Sequence, residues 1–132
     1  MDLLARRLSS PWRHAVAVAA FVAAVAHIPV IPEHLEEAPY VGWLFVVFTG
    51  TTLLLAVAVE VWDLPLIYVL AGGVGAAAVA AYALFRLVPM PQMADEVGMW
   101  YDPYGIAAVA GEVLLVATSV LAVRRSSSTR LR

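Results

Sequence analysis

The chain contains no cysteine and no lysine, and only 14% of its 132 residues are charged. The first absence removes disulfides, thiolate zinc sites and quinone-linked thiol oxidation from this chain. The second leaves arginine as the sole strong base, so sidedness has to be read from where arginine falls. Nothing resembles a basic nucleic-acid-binding patch, which excludes nucleic acid as a partner, and no composition shift marks a separate soluble domain. No nucleophile stands beside a base, which makes an enzyme the least favoured class.

What the chain has in abundance is hydrocarbon, at 63% hydrophobic residues. It is gathered into four runs, Trp12 to Val30, Val41 to Val61, Leu64 to Val88 and Ile106 to Val123. A helical bilayer crossing needs about 20 mostly apolar residues. Lipid cannot satisfy backbone polar groups, and these runs are too long and too uniformly apolar for barrel strands. The expected fold is all-α: a four-helix transmembrane bundle, multi-pass in the cell membrane, forming a single domain over 1–132 with a disordered basic tail at 124–132. Arg6, Arg7 and Arg13 precede the first run, and Arg124, Arg125, Arg130 and Arg132 follow the last, so the positive-inside rule places both termini in the cytoplasm. The opposite side then carries Glu33, His34, Glu36, Glu37, Asp95, Glu96 and Asp102. The rival reading is a signal peptide cut after Ala24-Val25-Ala26; it ranks second because three remaining spans would leave the new N-terminus outside.

Between the second and third runs lies a tight turn, Trp62-Asp63-Leu64-Pro65, in which Asp63 can cap the following helix and Pro65 suits its first turn. Glu60, His14 and the Thr49, Thr52, Ala56 face read as interfacial or self-bonded polar groups. Small residues allow close helix approach in lipid. Gly72, Ala76, Ala80 and Gly73, Ala77, Ala81 form two such stripes, which predict that the third span lies at the middle of a tight interface, within the bundle or in a homo-oligomer or larger membrane complex. In the first span the stripe Ala15, Ala19, Ala23 leads to His27 and predicts that this histidine faces protein.

Glu112 is the most informative side chain. It lies in the fourth run about 9 Å below the end of the span, where an unpaired acid costs about 2.5–3.5 kcal/mol on insertion scales. Ala108 and Ser119 share its face, which should therefore be interior. By depth its partners are Arg86 and His27. One reading is a Glu112–Arg86 ion pair that only locks the bundle; the other is a carboxylate that carries a proton or ligates a cation.

The connection His27 to Tyr40 carries the densest chemistry. Pro29 and Pro32 should end the first span, with a short helical turn between Pro32 and Pro39. There Glu33 and Glu37 share one side, and His34 meets Glu37 at i and i+3. Imidazole with carboxylates suits a transition metal, copper, zinc or iron; the plain alternative is a solvated acidic cap. Further on, Met90, Met93 and Met99 supply soft donors for copper(I), or else an apolar lid. Asp102-Pro103-Tyr104-Gly105 reads as a turn into the fourth helix. Histidine or arginine, prolines, an acidic pair and Tyr-Gly recur ahead of spans two and four, a faint parallel repeat.

Glu33-His34-Leu35-Glu36-Glu37-Ala38-Pro39-Tyr40-Val41-Gly42, with His27 before it and Gly98-Met-Trp-Tyr-Asp-Pro-Tyr-Gly105 later, resembles uncharacterised small four-helix membrane proteins of actinobacterial type. That resemblance implies the fold and no activity. From the residues, the expected function is cation binding, foremost a transition metal, by His27, His34, Glu33, Glu37 and Glu112, with Arg86 as counter-charge. A subunit or assembly factor of a membrane complex and a proton-coupled small-molecule transporter using Glu112 are the alternatives.

Overall fold

Proline sets where three of the four long helices begin. In the computed structural model, which describes residues 6–128, the chain forms α1 (Arg13–His27), a 3-10 turn (Ile28–Val30), α2 (Ile31–Glu37), α3 (Pro39–Trp62), α4 (Pro65–Leu87), a second 3-10 turn (Ala94–Glu96) and α5 (Pro103–Ser128). Pro39, Pro65 and Pro103 occupy first-turn positions, where a missing N–H removes no helical bond. The described residues are all helix, turn or coil. Four of the helices, with α1 and α2 counted as one run, are long and apolar enough to cross a membrane.

α1 stops at His27, before Pro29, and the short helix expected between Pro32 and Pro39 is α2, but the two prolines do not break the helical run between them. Each falls in the opening positions of a new helical segment, so one turn tightens to 3-10 geometry and the chain stays right-handed helical to Glu37. The reversal comes at Ala38 (φ −139°, ψ 77°), after which α2 lies against the start of α3. Gly42 makes that approach achievable: a Cβ there would stand 2.6 Å from the Leu35 backbone nitrogen. At the far end of the chain α5 runs on through Arg124 and Arg125 to Ser128, into the segment read as tail. Nothing interrupts helical geometry there, and serine and arginine are tolerated in a helix end. Thr129, Arg130 and Arg132 lie outside the described residues.

The long helices form a ring in which α1 packs on α3 and α5, and α5 packs on α4, while the α3–α4 seam is much looser. Val16, Ala20, Leu55, Val59, Tyr68, Ala71, Leu115 and Ala122 fill the core. Backbones come close where a side chain is missing: a Cβ on Gly75 would lie 3.0 Å from the Glu112 carbonyl oxygen, and one on Gly111 3.1 Å from Ala23 Cα. The two stripes expected at the middle of a tight interface lie mostly outward. Gly73, Ala76, Ala77, Ala80 and Ala81 are exposed, while Gly72 approaches α5 at Ser119. In α4 the face that packs inward runs Tyr68, Ala71, Gly75 and, at the far end, Arg86.

Asp63 does not cap α4. It adopts the left-handed conformation that ends α3 (φ 51°, ψ 47°), which aspartate tolerates better than most residues. Its buried carboxylate accepts from the Tyr68 hydroxyl and, at 3.3 Å, from the Ser10 N–H. The Leu8 N–H donates to the Asp63 carbonyl at 2.9 Å, so the N-terminal segment is tied to the α3–α4 turn. Beside it Glu60 pairs with Arg13 (3.3 Å) and His14 (2.8 Å).

Candidate functional site

At the other end of the bundle, His27 closes α1 with its ring turned inward, as the alanine stripe predicts. Its Nδ1 lies 2.8 Å from the Ala23 carbonyl oxygen. A carbonyl only accepts, so Nδ1 holds a hydrogen and Nε2 is the nitrogen left for chemistry. That Nε2 stands 3.4 Å from Glu112 Oε1. Both residues are almost wholly buried, at 6% and 2% exposure. The imidazole is held in place by Phe45 and Phe48, whose ring centroids are 5.0 and 4.6 Å away.

Glu112 follows Pro103 by nine residues, about 14 Å along α5 at 1.5 Å per residue. Ala108, Leu115 and Ser119 are buried on the same face, as its spacing predicts. One oxygen meets His27; the other, Oε2, is buried with no hydrogen-bond partner. Arg13 Nε, Thr49 Oγ1, Arg86 Nε and Ser119 Oγ share that condition among the described residues, but Glu112 alone of them is an acid, and its free oxygen can take a donor or a cation.

Both residues line a cavity of about 390 Å³ that opens along the loose α3–α4 seam. Leu44, Val47 and Phe48 of α3 face Ala77, Ala81 and Phe85 of α4 across it, and His34 reaches it from α2. His34 repeats the arrangement of His27: Nδ1 is 2.8 Å from the Val30 carbonyl oxygen, and the ring meets Phe45 at 4.9 Å. One phenyl ring thus separates two imidazoles whose Nε2 atoms are uncommitted to backbone.

Arg86 also lines the cavity but turns away from Glu112. Its guanidinium binds Glu96, approaches Asp102 at 3.9 Å and stacks 4.6 Å over the Tyr82 ring. The expected Glu112–Arg86 pair is therefore replaced by a clamp at the cavity's end. The reason is depth: Arg86 is one residue from the end of α4, whereas Glu112 lies more than two turns into α5. The 88–102 connection folds back to meet Arg86, whose carbonyl accepts from the Gly98 N–H at 3.0 Å. Asp102 has a second task as the N-cap of α5, accepting from the Gly105 N–H at 2.7 Å. Gly105 is required there, since a Cβ would stand 2.8 Å from the Tyr82 ring and 2.9 Å from the Asp102 carboxylate.

The remaining expected ligands do not join His27 and Glu112. Glu33 and Glu37 are exposed. With His34 turned toward Phe45, residues one before and three after it fall on the flank of a helix with 100° per residue. Met93 is buried against Ala38 and Val41, Met90 packs beside it, and Met99 is 55% exposed. Among the described residues no three His, Asp or Glu side chains converge as a metal would require. Phe45, Phe48 and Tyr82 are site residues that the sequence reading missed; aromatic residues inside an apolar span carry no distinguishing signal. Compared with protein-family models, curated proteins and solved structures, the chain matches none.

Proposed function

We propose that the chain is an integral membrane protein with both termini in the cytoplasm, and that its His27–Glu112 pair exchanges a proton for a cation beneath the outward face, as the core of a proton-coupled small-molecule carrier. The orientation is supported by arginine at the terminal end and carboxylates on the connections at the other. The observation that carries the function is the buried carboxylate with one oxygen on an imidazole and the other on nothing. With Nδ1–H fixed on Ala23, a single proton placed on either Nε2 or Oε1 joins the two groups. A cation arriving at Oε2 favours the carboxylate and expels a proton shared with imidazole; a returning proton weakens the hold on the cation. Both compete for one carboxylate, which is the minimum requirement for exchange.

Infrared spectroscopy of the protein in liposomes tests this directly. A protonated-carboxyl band that titrates in wild type and vanishes in Glu112→Gln, together with loss of pH-dependent flux, is the expected result. Titration unaltered in Glu112→Gln removes Glu112 from the mechanism.

One further reading is a transition metal such as copper, zinc or iron, whose capture by His27 and His34 with Glu112 would require Phe45, which lies between the two rings, to move aside. A backbone-anchored Nδ1–H that leaves Nε2 as the donor atom is the arrangement that metal-ligating histidines use. Elemental analysis of detergent-purified protein checks it: metal present in wild type and lost in His34→Ala and Glu112→Gln supports the reading, and equally low metal in all three removes it.

A further inference from the structure

We infer that the cation taken at His27–Glu112 is a lipophilic organic amine in its protonated form, which enters sideways from the bilayer through the seam between α3 and α4. This rests on the exchange reading above and adds the ligand's chemistry and its route.

The walls set the first requirement. Leu44 and Val47 on one lip and Ala77 and Ala81 on the other are exposed and apolar, and they lead inward past Phe48 to Glu112. A hydrated inorganic ion has nothing to hold between those lips, whereas an apolar body is stabilised there. A cavity of about 390 Å³ is the size of a small drug-like molecule.

Charge sets the second. Three carboxylates, Glu96, Asp102 and Glu112, line the cavity against one guanidinium, Arg86, which is itself engaged by Glu96. An anionic amphiphile such as a fatty acid would meet Glu112 with no free cation beside it. The orphaned Oε2 accepts but, as carboxylate, cannot donate, so the ligand must bring an N–H or similar donor. Phe45 and Phe48 offer ring faces beside Glu112's partner His27, and a cation over such a face gains further. An alkyl or arylalkyl ammonium meets all three demands: donor, positive charge and apolar body.

A matched series of probes tests this in lipid nanodiscs, with empty nanodiscs subtracted for partitioning: 4-phenylbutylamine, 4-phenylbutanol and 4-phenylbutyrate. Calorimetry should show the amine binding roughly tenfold or more tighter than the alcohol, equivalent to about 1.4 kcal/mol, with proton release seen as a buffer-dependent enthalpy, and butyrate weakest. Glu112→Gln should remove the preference for the amine. Ala77→Trp, which plugs the lip, should remove amine binding while the infrared carboxyl titration persists. Equal or better binding of the alcohol or butyrate, or undiminished amine binding in Ala77→Trp, overturns the inference. Loss of the carboxyl titration itself would count against the exchange reading instead, so the two failures are distinguishable.

Discussion

Removing either member of the His27–Glu112 pair should cost far more than removing the second once the first is gone. The contact is 3.4 Å with both side chains buried. Unit charges at that separation attract by about 5 kcal/mol at an effective dielectric of 20, before any desolvation is counted. Desolvation offsets much of this, leaving a net coupling of about 1.5–3 kcal/mol for a charge-assisted contact. Each single substitution, Glu112→Ala or His27→Ala, leaves its partner buried without a counterpart, at a cost of about 3–5 kcal/mol if that partner stays charged. The double variant should therefore be less destabilised than the two singles together, by the coupling. The assay is reversible unfolding in mixed micelles of rising dodecyl sulfate content, followed by tryptophan fluorescence. A control cycle pairs Glu112→Ala with Ser119→Ala, two turns along α5, and should be additive within about 0.5 kcal/mol. If the His27–Glu112 cycle is equally additive, the two groups do not interact and the exchange site loses its basis.

Glycine substitutions should separate sharply by position. Gly42→Ala drives a methyl into the Leu35 backbone and should destabilise by about 1–3 kcal/mol, whereas Gly73→Ala meets nothing within 4 Å and should be neutral or stabilising by up to about 1 kcal/mol; thermal unfolding in detergent reads both. Tyr68→Phe removes a buried donor from Asp63 and should cost about 1–3 kcal/mol in the same measurement, with Asp63→Asn partly compensating in the double variant. Arg86→Met should loosen the 88–102 connection, seen as faster hydrogen exchange at the Gly98 amide, which donates to the Arg86 carbonyl; unchanged exchange there would show that the clamp does not hold the connection.

The helices were legible in the sequence because lipid-length runs and helix-starting prolines act locally. The interior placing of Glu112 and His27 was legible too, since a buried acid and an alanine stripe each point to one face. What could not be read was which groups meet across helices. Arg86 and Glu112 share an approximate depth only when the fourth run is taken to begin at Ile106; Asp102 starts the helix three residues earlier and so puts Glu112 deeper. The short helix opening at Pro32 was legible, and α1 does stop before Pro29; what proline's role as a helix breaker did not show is that Pro29 opens a 3-10 turn that carries the helical run on into α2. The outward turn of the Gly73 stripe had no local signal either, since alanine packs inward and faces outward with equal ease in so apolar a chain.

The buried acids at the two ends of the bundle differ in how fully they are matched, and that contrast supports the proposed site. At the terminal end, Asp63 takes both the Tyr68 hydroxyl and the Ser10 N–H, while Glu60 takes Arg13 and His14. Those bonds close the α3–α4 turn and pin the N-terminal segment to it, so the two helices are held together there. At the other end only a small cluster, Ala38 and Val41 with Met93 and Phe85, links α3, the 88–102 connection and α4, and the seam between the two helices stays loose. Glu112 Oε2 and Arg86 Nε are left without partners along that opening. A fold selected only for stability would fill the gap or replace the carboxylate with an apolar side chain, because a half-satisfied buried polar group is worse than none. An orphaned acid kept at the base of an open apolar seam, when the buried Asp63 at the opposite end accepts two donors, is the feature on which the proposed ligand site rests.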